Sequence, residues 1–331
     1  MSLALLIPLF LCLNPFGESE LRRPVVILTD CGCCYDDEWA IAHLLLAKDV
    51  VDVRGILTSH APDLASPAAE RSAEAVRRLV EKLGVEPAPV VVVGASERLV
   101  DRATPRPSAA SKWLLEQSKS FDAKHRLTLA LLGPATDLAS ALLIDPSLSD
   151  RVEVVATAFQ RWPEGGDSYN VKNDPAAWRV LLESRTPLTI VDQTLTTRRL
   201  ALSRDDLRER FGRTCGEGGR ALVHLSTGWL DRNPALAKKL SGSSDALAIW
   251  DEGAAATILG FSKIERRPRP RLREDLSFAV ETTQEKIGWV VAIDSERTWL
   301  DLRRRLAVSA SKPSGNQERL TQPKSSADDA D

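Results

Sequence analysis

Neither sign of charge dominates this chain: 44 Lys and Arg stand against 46 Asp and Glu, a formal net charge of -2 over 331 residues. With no basic excess and a pI near 6.2, long-range electrostatics give no reason to expect nucleic acid or an anionic membrane as partner. A small uncharged or polar ligand is the simpler expectation. Cysteine is sparse as well. Five (Cys12, Cys31, Cys33, Cys34, Cys215) do not make a disulfide framework at this length, and three of them crowd into one turn. No second Cys pair and no His pair follows at zinc spacing, which argues against a structural zinc module. No integral membrane span is expected either. The apolar run Leu3 to Leu13 is too short for one and has the length of a signal-peptide core. No Lys or Arg precedes it and no small-x-small cleavage site follows, so export (periplasmic or secreted) and a cytoplasmic location both stay open.

What is present is alternation. Apolar strand-length runs (Val25–Leu28, Val51–Thr58, Pro89–Val93, Leu127–Leu132, Val152–Ala156, Pro187–Val191) are separated by segments of helical period. Ser66 to Leu83, for example, carries Ala69, Ala73, Val76, Leu79, Val80 and Leu83 before the stop at Gly84. This pattern predicts an α/β fold, a single large doubly wound and mostly parallel sheet with helices on both faces. Late in the chain, Trp289 to Ile293 reads as a strand and Trp299 to Leu306 as a final helix. Residues 1–22 form an apolar N-terminal segment or signal peptide, residues 23–307 the α/β domain, and residues 308–331 a polar tail expected to be disordered.

The chain is organised around residues 25–46. A β-branched run ends in Asp30, a turn containing Gly32 follows, and Asp36-Asp37 opens an apolar helix. In an open α/β sheet the ligand crevice lies outside the carboxyl ends of the strands, so these three carboxylates are placed for chemistry. A hard dication takes several oxygen ligands, carboxylates above all. Carboxylates packed together without a cation repel, and some would have to take up protons. Further candidates follow in Gly133-Pro134-Ala135-Thr136, in Asn170 four residues before Asp174-Pro175, and in Asp251 ahead of a late apolar helix.

These residues, in this order, resemble the nucleoside hydrolase family, the inosine-uridine-preferring N-ribohydrolases, with the longer turn that a subset of that family carries. The resemblance runs from about residue 24 to 306. It implies a metal-dependent hydrolase that cleaves the N-glycosidic bond of a ribonucleoside or related ribosyl compound. By resemblance, Ca²⁺ would be held by Asp30, Asp37, the Thr136 backbone carbonyl and Asp251. Asp36 and Asn170 would hold sugar hydroxyls, and Asp30 would act as general base on the attacking water. Tyr169, beside Asn170, and His60, in the turn after a strand, are further candidate substrate contacts. A homo-oligomer is compatible with the family.

Four positions depart from the pattern. Leu28 stands for the first Asp of Asp-x-Asp, Cys34 for the additional Asp of the long turn, Trp250 for a His that helps the base leave, and Ser168 for a Glu that grips the ribose. Each change removes a charge or a titrating group. They motivate an alternative, a non-catalytic Ca²⁺-dependent sugar- or nucleoside-binding protein on the same scaffold. A third reading takes Cys31, Cys33 and Cys34 as a thiol redox or soft-metal site rather than small turn-filling residues. Plainer readings stand beside the others: Asp36 and Asp37 as helix-start acids, His43 as a core histidine, His60 as a solvated loop residue, and Trp162 and Trp250 as core aromatics.

Overall fold

The computed structural model describes residues 22–166, 168–279 and 285–310. The N-terminal apolar segment through residue 21 and the polar tail from residue 311 lie outside the described residues.

Strands β1 (Arg23–Thr29), β2 (Val51–Thr58), β3 (Val91–Val93), β4 (Leu127–Leu131), β5 (Val152–Thr157) and β6 (Leu188–Val191) build the sheet in the spatial order β3-β2-β1-β4-β5-β6. It is completed by Lys286–Ile293, parallel to β6, and by Ser262–Pro268, antiparallel at the edge. All other pairings within this sheet are parallel. The expected doubly wound α/β sheet is therefore present, with one antiparallel edge strand. β1 is apolar from Val25 to Leu28 because both faces are covered.

One core packs on each face. On the first lie α1 (Asp37–Leu46) and α2 (Ala68–Leu83) with Gly216–Arg232 and Ser295–Ala310. On the second lie α3 (Ala109–Ser118), α4 (Thr136–Ile144) and Pro175–Glu183. Helix α1 is buried on nearly every side, from Asp37 through Leu45, which explains its lack of a polar stripe. The final helix is longer than its apolar spacing suggested. Asp294 Oδ1 accepts the Arg297 amide and starts it at Ser295, and Trp299, Leu302 and Leu306 are its buried face. Pro175–Glu183 begins as its sequence predicts, with Asp174 Oδ1 accepting the Ala177 amide and Pro175 at the first position.

Strand order reverses between β1 and β4, whose neighbours run outward in opposite directions. The carboxyl ends of this pair therefore open a crevice. Asp30 follows β1 and Gly133 follows β4 at that point. A side chain on Gly133 would put its Cβ 2.9 Å from the Asp30 amide nitrogen and Oδ1, so the two loops meet this closely only with glycine there.

Candidate functional site

The turn after β1 sets the floor of the site. Gly32 takes φ +93°, a left-handed conformation suited to glycine, and reverses the chain so that α1 starts beneath the crevice. Asp36 occupies the cap position of α1, yet its carboxylate makes no capping bond and faces the crevice instead. The Thr29 hydroxyl donates to Asp37 Oδ1 and accepts the Cys31 amide at 3.0 Å, tying the strand end to the helix start. From the other side, Asp251 precedes the helix Glu252–Ile258, also without a capping bond.

Asp30, Cys33 and Asp37 each place a ligand atom within 4.8 Å of one another, and so do Asp36, Asp37 and Asp251; Asp37 belongs to both groups. The four carboxylates are at most 7% exposed, and Asp30 Oδ2 is buried without a hydrogen-bond partner. Burial, then the charges of Asp37 and Asp36, holds Asp30 well above the usual carboxylate range. Burial and the charges of Asp36, Asp37 and Asp30 do the same to Asp251. Asp36 is raised to about 7 by burial and Asp37, and Asp37 to about 6 by burial against the Thr29 hydrogen bond. Such a cluster either carries protons or receives a cation. The orphaned Asp30 oxygen and the oxygen-rich donor set fit a divalent cation.

Above the floor is a cavity of about 420 Å³, within the size range of small-molecule sites. Asp30, Asp36, Asp37, Asn170 and Asp251 line it, with Tyr169 on one flank. The Tyr169 hydroxyl donates to Asp63 Oδ2 at 2.7 Å. Trp229, Trp250, Leu236 and Leu240 form an apolar side. Tyr35 packs edge-on against Trp229 at 4.7 Å between ring centres and donates its hydroxyl to the Ala248 carbonyl. A more open depression of about 720 Å³, around Arg98, Arg106 and Arg179, holds none of the clustered acids.

Two candidates from sequence do not line this cavity. His60 Nε2 lies 2.9 Å from the Thr136 hydroxyl, which donates to Asp174 Oδ2 at 2.7 Å, so the imidazole is the donor to Thr136. Asp174 Oδ2 also accepts the Leu99 amide, and the group braces α4 against Pro175–Glu183. Thr136 is the first residue of α4 and stands back from the cavity. From the same loop the Leu132 carbonyl accepts from Asn170 Nδ2, and Asn170 lines the cavity. That amide also donates to the Thr157 carbonyl at 3.1 Å, so Asn170 joins the ends of β4 and β5.

The departing residues have defined roles. Ser168 Oγ accepts the Phe159 amide at 2.9 Å and is turned away from the cavity. Trp250 lines the cavity and donates Nε1 to Thr197 Oγ1 at 3.0 Å. Leu28 is buried in the second core. His43 is fully buried, as expected of a core residue, and is ion-paired: Nδ1 lies 2.5 Å from Glu252 Oε1 and Nε2 3.0 Å from Asp301 Oδ2.

Solved structures share this architecture. A plant nucleoside hydrolase superposes with a TM-score of 0.65 at 20% identity, covering 86% of this chain and 99% of its own. A purine-preferring ribonucleoside hydrolase from Gardnerella vaginalis gives 0.70 at 16%, covering 87% and 99%. An inosine-uridine preferring nucleoside hydrolase from Bacillus anthracis gives 0.63 at 17%, covering 86% and 99%. These likenesses define the class as the nucleoside hydrolase fold. No curated protein matches the chain. The family model for inosine-uridine preferring nucleoside hydrolases matches residues 25–316, and the chain belongs to that family. Among the described residues no helix is long and apolar enough to cross a membrane.

Proposed function

We propose that this protein hydrolyses the N-glycosidic bond of a ribonucleoside or a related ribosyl compound. The observation that carries this reading is the buried, unpartnered Oδ2 of Asp30 within a carboxylate cluster on the cavity floor. Asp30, Asp37 and Asp251, with a backbone carbonyl of the loop from Leu132 to Thr136, would hold a divalent cation. When bound, it would neutralise the acids and make a water acidic enough to lose a proton near neutral pH. Asp30 accepts that proton as the oxygen attacks the anomeric carbon and the bond to the base breaks. Asp36 and Asn170 orient the sugar through its hydroxyls, and Tyr169 closes the flank. Trp229 and Trp250 offer apolar surface to the base; neither can supply a titrating proton, so this chain favours bases that leave readily.

The test is reducing-sugar release from a panel of nucleosides by the full chain. Turnover that Asp30→Asn abolishes while circular dichroism is unchanged supports the reading. Absence of turnover on every nucleoside and ribosyl compound, with and without divalent cation, sinks it. A second reading is favoured by Ser168 and Trp250, whose polar groups are engaged within the protein. In it the chain binds nucleosides in a cation-dependent way without cleaving them, and calorimetry showing such binding without product would select it.

A further inference from the structure

The turn between Asp30 and Asp36 sets a thiol beside each of three acids: Cys33 by Asp30, Cys34 by Asp36, and Cys31 by Glu38. Cys31 is buried in the first core, whereas Cys33 and Cys34 reach the cavity. Among the described residues, Cys33 is the thiol whose sulfur joins a set of candidate ligand atoms, within 4.8 Å of oxygens of both Asp30 and Asp37. We propose that Cys33 is a ligand of the divalent cation at Asp30 and Asp37, and that the site thereby selects a thiophilic ion, zinc foremost, over Ca²⁺.

Three observations carry this. The first is the placement of the sulfur. The second is independent of it: Asp30 is 2% exposed, and its unpartnered Oδ2 belongs to a residue on the cavity floor, where a ligand would complete it. The third is the donor count. A hard ion such as Ca²⁺ takes about six to eight oxygens. Here Leu28 offers none and points into the core, while the turn carries thiols at Cys33 and Cys34. Asp30, Cys33 and Asp37 instead give two oxygens and one sulfur beside an open cavity. Three protein ligands with one free position is the donor set of hydrolytic zinc sites, and sulfur shifts preference toward softer ions. The thiol proton is released to solvent when the ion binds.

The inference rests on the reading that the site holds a divalent cation, and one experiment separates the two. The full chain is titrated with Co²⁺ as a spectroscopic stand-in for zinc, and the near-ultraviolet sulfur-to-cobalt charge-transfer band is recorded. Wild type, Cys34→Ser and Cys215→Ser are expected to show the band; Cys33→Ser is expected to lose it and to bind Zn²⁺ about tenfold or more weakly, with Ca²⁺ affinity altered much less. Cys33→Asp keeps a ligand at the position and guards against misfolding; it should lack the band and shift preference toward Ca²⁺. Co²⁺ binding that Asp37→Asn abolishes, but without a band in wild type or with a band persisting in Cys33→Ser, overturns the role of Cys33 and leaves the cation site standing. If neither Ca²⁺, Zn²⁺ nor Co²⁺ binds at all, both fall.

Discussion

The hydroxyl of Thr29 donates to the carboxylate of Asp37, eight residues further along the chain, and accepts the Cys31 amide in turn. One side chain thus fixes the orientation of an acid in both ligand groups without facing the cavity itself. Thr29→Val keeps the shape and removes the hydrogen bond. Outer partners of metal ligands are typically worth about 10–100-fold in affinity, so a loss of roughly tenfold in divalent-cation affinity by calorimetry is expected, with little change in melting temperature. Unchanged affinity would mean that Asp37 is oriented by the backbone alone.

Asp30→Asn is expected to lower kcat by about 10²–10⁴-fold, the range of a general base. In chelator, the same variant should melt at a higher temperature than wild type, because it removes a buried carboxylate that repels Asp36 and Asp37. A variant both inactive and less stable in chelator would place Asp30 in the scaffold instead.

Asp36 and Asp37 titrate in the fold at about 7 and about 6, raised from 3.8 by burial, with Asp37 adding to the rise at Asp36. The folded chain therefore holds protons that the unfolded chain has released. Stability of the metal-free protein falls as pH rises from about 4 through 7, the sign required when the native state binds more protons. A saturating divalent cation should flatten that slope. Denaturant titrations at pH 5 and pH 7.5, each with chelator and with cation, check both statements.

His43 joins Glu252, on the helix after Asp251, to Asp301 of the final helix. Its pKa is raised: burial pushes it down, and the Glu252 charge and the hydrogen bonds to Asp301 and Glu252 outweigh that. Its contribution is complete below the unfolded histidine range and is lost as pH rises through the elevated folded value. His43→Ala leaves buried Glu252 without its cation and should cost about 3–5 kcal/mol in urea denaturation. A cost under about 1 kcal/mol would show that water or a proton replaces the imidazole readily.

Trp250→His restores a titrating group on the cavity wall. If lack of a general acid limits turnover, kcat for purine nucleosides should rise about tenfold or more. An unchanged kcat would show that base departure is not the slow step.

Much of this was legible in residues 25–46 alone. The β-branched strand, the glycine turn and the acidic pair at a helix start each obey a local rule, and their alternation with later segments fixed the sheet. Asp251 and Asn170, singled out by their order along the chain, both line the cavity. Neither Thr136 nor His60 lines the cavity, and no local pattern could foresee their pairing, since the Thr136 hydroxyl bonds Asp174, 38 residues on. His43 looked like a core residue and is one, but its acid partners lie 209 and 258 residues away, beyond any periodicity.

The floor of the cavity is built from the turn after β1, the start of α1 and Asp251 at the head of Glu252–Ile258, while Trp229, Leu236, Lys239 and Leu240 belong to two consecutive helices, Gly216–Arg232 and Pro234–Ser241. In the proposed reading, the acids of the turn after β1 and most of the surface offered to the base thus come from separate stretches of the chain, and only Trp250 adjoins an acid, Asp251. Substitutions in the helical stretch can retune which base is admitted while the acids stay in register. In the proposed reading, a library over residues 229–240 and Trp250 is the economical route to a new leaving group, and one over residues 29–37 and Asp251 the route to a new metal.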